Sequence, residues 1–195
     1  MIAFVRGDFV QKQPAKVVVD VNGIGYDLQI SLHTYSFIAN KESGLLYTYL
    51  HITENAQTLF GFAELEEKEL FLNLISVSGV GAATARMMLS GIKPEELTKA
   101  IVQGNTKLLE SIKGIGKKSA ERLIVELRDK LGKQSVSFLP SSSTTETLSG
   151  YDAVVALVSL GIAKPVAEQA VKKVLASTSE NIVLEDLIKN ALKNL

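Results

Sequence analysis

The sequence predicts a multi-domain α+β protein: a five-stranded barrel, an all-α domain with two helical hairpins, a flexible linker and a three-helix bundle. Three observations predict this order. Alternating, β-branched segments fill residues 1–62, a Gly-apolar-Gly phrase occurs twice within residues 63–133, and Ser and Thr dominate residues 134–149. Helical periodicity returns over residues 150–195. The chain therefore divides into three folded parts and a linker at these boundaries.

Residues 1–62 carry the pattern of a small closed barrel. Asn22-Gly23 is a type I′ hairpin signal, and Ser31 is a suitable N-cap for a short helix that ends near Ala39. Because three strands precede this helix and two follow it, we expect an OB barrel, an architecture that often binds oligonucleotides although a fold alone assigns no function. The predicted strands cover residues 2–10, 17–21, 25–30, 45–52 and 57–62.

Residues 63–133 are predicted to be helical. Pro94 marks one helix start, since its ring suits the first turn and Glu95 and Glu96 follow where the helix dipole favours acids. The last helix carries an apolar stripe of leucine and isoleucine that should face the core. The predicted helices cover residues 64–76, 82–90, 94–102, 105–111 and 117–131.

The repeated glycine phrase predicts two binding sites for phosphate. Glycine permits a tight turn with positive φ, and the free N–H groups of such a turn and of the helix behind it form a donor site for an anion. The middle residues, Val80 and Ile115, are apolar and should anchor the turns in the core. The two copies are Gly79-Val80-Gly81 and Gly114-Ile115-Gly116.

The second copy is the more basic. Lys117 and Lys118 follow it directly, and residues 113–133 contain seven basic and three acidic residues although the chain has a formal net charge of +0. This local excess suits phosphate contacts, which recognise the backbone of a nucleic acid but not its bases. Two plainer explanations stay open: the charges are a solvated helix face with pairs such as Glu126–Lys130, and the glycines only connect helices.

Other classes of site find no support. The sequence has no cysteine, no P-loop and no third glycine of a dinucleotide fingerprint. His33 and His51 lie far apart and suggest no metal site. We therefore expect no cofactor, no metal and no catalytic residue. The absence of cysteine, of a long apolar run and of a signal peptide predicts a protein of the cytoplasm.

The C-terminal part is expected to be a tethered module. Nine of the fifteen residues from Ser135 to Ser149 are Ser or Thr, which predicts a flexible linker. Helices are predicted over residues 151–160, 165–175 and 184–195, with Gly161 ending the first. Such a unit suits the binding of a partner protein, and the alternative is a bundle that serves stability alone.

With these parts in order, the chain resembles the RuvA family of bacterial Holliday junction-binding proteins over essentially its whole length. The most specific segments are Gly79-Val80-Gly81, Ala56–Phe62 and Gly114–Leu127, which reads GIGKKSAERLIVEL. The resemblance implies a DNA-binding subunit without catalytic activity. It would act as a homotetramer, one or two tetramers per four-way junction, and would hold the junction open and flat during recombination and repair.

The resemblance also implies roles for particular residues. The DNA contacts would come from both glycine hairpins, and an acidic pin at the junction centre would come from Glu54 and Asn55. The RuvB ATPase motor would bind an apolar surface, and the RuvC resolvase is a further expected partner. The DNA-binding set is Gly79, Val80, Gly81, Arg86, Gly114, Ile115, Gly116, Lys117, Lys118 and Arg122, and the motor-binding set is Leu157, Leu160, Ile162 and Leu192.

The chain departs from the family pattern at two of these places. Asn55 stands where a second acid is common, which halves the charge of the pin. Ala82-Ala83 stands where Pro-Lys is common, so the first hairpin would depend on its N–H groups and on Arg86. The leucines of the motor-binding set have a competing explanation as the bundle's own core.

Two other functions remain open from the sequence. A helix-hairpin-helix glycosylase would need a catalytic aspartate and a pocket for a flipped base, whereas aromatic residues make up only 6% of the chain. A scaffold would use the hairpins as connectors and the barrel to bind protein.

Overall fold

Five strands form a closed barrel at the N-terminus of the computed structural model, which describes residues 1–137, 145–177 and 182–194. Around the barrel the strand order is β1-β2-β3-β5-β4. Only β3 and β5 pair in parallel; the other neighbours are antiparallel. This arrangement confirms the predicted barrel. The strands are β1 (Phe4–Gln13), β2 (Lys16–Val21), β3 (Ile24–Ile30), β4 (Ser43–Thr53) and β5 (Ala56–Phe62).

The local signals in the barrel behave as the sequence predicts. Asn22 and Gly23 have φ values of 52° and 89°, as a type I′ turn requires. Helix α1 (Leu32–Ile38) follows β3, and the Ser31 hydroxyl accepts the Thr34 N–H at 3.0 Å as an N-cap. Strand β1 continues past its predicted end because its pairing with β2 resumes after a bulge at residues 9–11.

Five helices follow the barrel, and their positions agree with the prediction to within one or two residues except at the end of the last. That helix extends six residues beyond residue 131, because a lone Gly132 costs only about 1 kcal/mol inside a helix and no proline follows at once. The helices are α2 (Leu65–Ile75), α3 (Ala82–Gly91), α4 (Pro94–Gln103), α5 (Thr106–Glu110) and α6 (Lys117–Ser137).

An aromatic cluster joins the barrel to these helices. Phe71 of α2 is fully buried, and its ring centroid lies 5.0–5.8 Å from those of Tyr49, Phe60 and Phe62 on β4 and β5. Phe60 and Phe62 belong to the same buried cluster as the cores of α2–α6. The barrel and the helical hairpins therefore pack as neighbours within one compact unit, Met1–Phe138.

The second compact unit, Leu139–Leu195, has its own core. Its helices are α7 (Thr145–Ser159), α8 (Lys164–Ser177) and α9 (Leu184–Lys193). The two ends of the predicted linker, residues 134–137 and 145–149, are helical. Its centre, residues 138–144, lies outside the described residues, so its flexibility stays a prediction.

No helix in the described ranges combines the length and the apolar character that a membrane span requires.

Candidate nucleic-acid interface

The two glycine turns have the same backbone geometry. Gly79 and Gly114 adopt φ values of 92° and 94°, a region that glycine enters without strain. Val80 N–H donates to Val77 O at 3.0 Å, and Ile115 N–H donates to Ile112 O at the same distance. The sequence repeat is therefore a structural repeat. Val80 and Ile115 are buried, which confirms that they anchor the turns in the core.

Each turn precedes a helix whose first N–H groups have no acceptor within that helix. The first intrahelical hydrogen bond of α3 runs from Ala85 N to Gly81 O, and that of α6 from Ala120 N to Gly116 O. Residues 82–84 and 117–119 therefore have N–H groups without an acceptor in their own helix. All four turn glycines are exposed, so an anion can reach both helix N-termini, where the helix dipole favours negative charge.

Free cations surround the second turn. Lys113, Lys117 and Lys118 are exposed, and within the described part of the chain their ammonium groups form no ion pair and no hydrogen bond. The first turn has Ser78, Ala82 and Ala83 at the equivalent positions. The electrostatic attraction for phosphate is thus concentrated at the second turn.

Two arginines of α6 have structural partners instead of free guanidinium groups. Arg122 Nη1 donates to Ser78 O at 3.2 Å, and its Nε lies 3.6 Å from a Glu126 carboxylate oxygen. Arg128 Nε donates to Val102 O at 3.0 Å. Glu126 thus pairs with Arg122, and the expected Glu126–Lys130 pair is wrong. Arg122 and Lys130 lie one helical turn to either side of Glu126, and the carboxylate pairs with the arginine.

The first turn and the N-terminal part of α6 line a common cleft. Ser78 and Gly79 form one wall, and Lys118, Ser119 and Arg122 belong to the other. The hydrogen bond from Arg122 to Ser78 crosses this cleft. This hydrogen bond therefore connects the first turn to the helix that follows the second turn.

Arg86 is positioned differently from the expectation. It is half-buried on α3, and its Nη1 donates to Ala15 O at 3.1 Å and to Gln29 Oε1 at 2.5 Å. Both acceptors belong to the barrel. The guanidinium therefore faces the barrel, and the first turn has no free cation of its own because Arg86 is the only basic residue within residues 76–90.

Glu67 is a buried carboxylate that the sequence did not reveal. It lies on α2, hydrogen-bonds the Ser31 hydroxyl, and accepts from the Thr34 hydroxyl at 2.6 Å. Burial raises the pKa of Glu67 above its ordinary value, while these two hydroxyls and nearby His33 act in the opposite direction. Only the tertiary contact between α1 and α2 buries this carboxylate; in the sequence it is one of several glutamates at a helix start.

The predicted pin residues lie at the tip of a hairpin. Glu54 and Asn55 are the two exposed residues between β4 and β5, where Thr53 pairs with Ala56. Glu54 gives this tip one negative charge per chain. Among the described residues, no group of three or more His, Asp or Glu side chains could hold a metal ion.

Comparison with known proteins agrees with this layout. Three family models match in chain order: the RuvA N-terminal domain over residues 1–61, a SAM-like helix-hairpin-helix tandem over 71–129, and the RuvA C-terminal domain over 150–195. The chain belongs to the RuvA family. Its first matched range is the barrel, and its second contains both glycine turns.

Similar proteins span the full length of the chain and are named Holliday junction branch migration complex subunit RuvA. The protein from Cytophaga hutchinsonii is 46% identical over 199 residues, 99% of each chain. That from Christiangramia forsetii is 45% identical over 199 residues and that from Bacteroides thetaiotaomicron 44% over 204, each covering 100% of both chains.

The RuvA C-terminal range contains the four residues expected to bind the motor, and the structure separates them. Leu157 is fully buried in the core of the second unit, and Ile162 packs against that core. Leu160 and Leu192 are 65% and 41% exposed. An exposed docking surface therefore cannot include Leu157, which faces α8 and α9 because it lies on the inner side of α7.

Proposed function

We propose that this chain is the junction-binding subunit of a Holliday junction branch migration complex. The observation that carries the proposal is the pair of equivalent glycine turns, held in one core, whose helix N-termini and exposed lysines face outward. Such turns bind the sugar-phosphate backbone without reading bases. A protein that acts on junctions of any sequence needs this kind of contact.

The proposed active form is a homotetramer, with one or two tetramers on each junction. Four barrels would place four copies of the turn at Glu54 and Asn55 around the crossover, since a hairpin tip projects from the barrel. Its carboxylate would repel phosphates at the centre, while the glycine turns attract those of the arms. These opposite effects would keep the junction open and flat.

The proposed partners are the RuvB ATPase, which would supply the energy for branch migration, and the RuvC resolvase. Our chain would bind RuvB through exposed apolar residues of the second unit, with Leu160 and Leu192 at the contact. ATP hydrolysis would belong to RuvB, and this chain would be a non-catalytic subunit in the cytoplasm, on the nucleoid.

A competition experiment tests DNA recognition. Gel shifts with a synthetic four-way junction, in the presence of excess linear duplex of the same sequence, should give a stable junction complex. Native mass measurement of that complex should give four or eight chains per junction. Equal affinity for junction and duplex would contradict the proposal and favour a general DNA-binding protein.

A truncation tests the assignment of the second unit. Because each unit has its own core, a chain that ends at residue 140 should still bind junctions but fail to stimulate the ATPase of RuvB. Stimulation by the truncated chain would show that the motor binds the first unit.

The glycosylase alternative gains no support from the packing of the aromatic residues. Phe60, Phe62 and Phe71 fill the core between the barrel and α2, so they line no pocket for an extruded base. An assay for base release with DNA that contains damaged bases would test this alternative directly.

A further inference from the structure

The first glycine turn is fixed to the barrel on both sides. We call residues 29–34, which join β3 to α1, the corner segment. Helix α2 is bonded to the corner segment by Glu67, which hydrogen-bonds Ser31 and Thr34. Helix α3 is bonded to the same segment by Arg86 and Ser90. The two helices that flank the first turn therefore have separate attachments to the corner segment.

Arg86 bonds helix α3 to two acceptors of the barrel. Its Nη1 donates to Gln29 Oε1 on β3 and to Ala15 O in the turn between β1 and β2. Ala15 O also accepts the Ile30 N–H at 3.1 Å, so this acceptor is itself held by the barrel. A planar guanidinium with several donors suits such a bridge between two acceptors.

Ser90 reinforces the attachment one turn further along α3. Its hydroxyl donates to Arg86 O at 2.8 Å and accepts the Leu32 N–H at 3.0 Å. Leu32 is the first residue of α1, whose N–H would otherwise lack an acceptor. Helix α3 thus has contacts to β3, to the β1–β2 turn and to α1.

We propose that Arg86 is a positioning residue: it fixes the first glycine turn relative to the barrel hairpin that ends in Glu54 and Asn55, and this spacing gives the preference for four-way junctions over linear duplex. The proposal rests on the junction-binding function proposed above. A linear duplex needs only phosphate donors, whereas a junction needs donors for its arms at a set distance from the element at its crossover. A preorganised arrangement avoids the cost of ordering these parts upon binding.

A direct phosphate contact by Arg86 would disrupt this arrangement. The guanidinium would have to leave both barrel acceptors, and the half-buried Gln29 amide would lose its charged donor. The two possible roles therefore predict different salt dependence. A positioning residue leaves the number of phosphate contacts unchanged.

The test compares Arg86→Leu with Gln29→Leu, which breaks the same hydrogen bond without a change in charge. We expect each variant to lower the ratio of junction to duplex affinity about ten- to a hundredfold, since hydrogen bonds to charged groups are of that strength. We expect the double variant to lose no more than the worse single variant. The slope of log K against log salt should stay at the wild-type value in all three, as in the control Lys172→Ala in the second unit.

Two outcomes would overturn the proposal. One is a slope reduced by about 0.9 in Arg86→Leu with a normal affinity ratio in Gln29→Leu, which is the result for a phosphate contact. The other is an unchanged ratio in both variants. If Arg86→Leu does not fold, Arg86→Lys replaces it in the test, because lysine keeps the charge and one donor group. This variant should retain part of the preference for junctions over linear duplex.

Hydrogen exchange of the free protein separates this proposal from the one on which it rests. The amides of Val80 and Ala85, which are hydrogen-bonded around the first turn, should exchange faster in Arg86→Leu and in Gln29→Leu than in the wild type, because the turn loses its attachment. Unchanged exchange would overturn the positioning role. If the wild type itself does not prefer junctions, the proposed function fails, and the exchange result still decides whether Arg86 positions the turn.

Discussion

Arg122 Nη1 donates a hydrogen bond to the carbonyl oxygen of Ser78 at 3.2 Å. Arg122 lies one turn into α6, beyond the second glycine turn, and Ser78 directly precedes Gly79 of the first. The bond therefore connects the first glycine turn to the helix that follows the second across the cleft between them. It also shows that not every cation of the basic segment is available to DNA.

The salt dependence of junction binding should come mainly from the second turn. Because Lys117 and Lys118 are exposed and unpaired within the described residues, their replacement by alanine should lower the slope of log K against log salt by about 0.9 for each phosphate that a lysine no longer neutralises. Binding titrations from low to moderate salt measure this slope. An unchanged slope and affinity in the double variant would contradict the prediction.

The reverse change should strengthen the first turn. Ala83 is exposed and equivalent to Lys118, whereas Ala82, equivalent to Lys117, is buried. Ala83→Lys should therefore raise junction affinity and steepen the salt slope by about 0.9, since the new lysine neutralises one further phosphate. The matched control is Ala83→Gln, which adds length without charge. Equal effects of the two variants would show that charge is not the cause.

The two glycines of the second turn should respond differently to alanine. Gly114 has a φ of 94°, so Gly114→Ala should reduce the free energy of unfolding by about 1 kcal/mol through backbone strain. Gly116 has no atom within 4 Å of the position a Cβ would take, and its φ is not positive. Gly116→Ala should therefore fold normally and weaken DNA binding by keeping phosphate away. Urea unfolding and gel shifts measure the two effects; equal loss of stability in both variants would contradict this distinction.

The buried carboxylate of Glu67 predicts the sign of one pH effect. Its raised pKa means that the folded state holds the proton more tightly than the unfolded state. The contribution of Glu67 protonation to the free energy of unfolding is therefore fully present below the ordinary pKa of glutamate, and it is lost as the pH rises through the folded-state pKa. Relative to Glu67→Gln, the wild type should be more stable near pH 4 than at neutral pH.

Urea unfolding of both proteins across this pH range measures the difference. Glu66→Gln, which removes an exposed carboxylate of the same helix turn, is the matched control for net charge. A wild type that gains stability over Glu67→Gln as the pH rises would show that hydrogen bonds from Ser31 and Thr34 outweigh burial.

The leucines of the second unit should separate into core and contact residues. Leu157 is fully buried, so Leu157→Ala should destabilise this unit by about 2–5 kcal/mol. Leu160 is 65% exposed, and Leu160→Ala should change the stability by less than about 0.5 kcal/mol while it reduces stimulation of the RuvB ATPase. Normal stimulation by Leu160→Ala and Leu192→Ala together would exclude these residues from the motor contact.

The elements with strong local signals were predictable. The type I′ turn at Asn22-Gly23, the cap at Ser31 and the two glycine turns depend on backbone preferences of a few neighbouring residues. The end of α6 was not predictable to the same degree, because a lone glycine weakens a helix without ending it. The helical ends of the predicted linker show the same limit: composition alone does not fix where a helix stops.

The sequence by itself determined the order of the parts, the repeat of the glycine turns and the excess of lysine at the second, since each follows from local residue chemistry. Tertiary structure alone decided which charged groups are free. Arg86 reaches Gln29 across the packing of barrel and helix, Arg122 reaches Ser78, and Glu67 is buried against α1. A long side chain can reach partners distant in sequence, so its role as a DNA contact or as a structural link depends on what the fold places beside it.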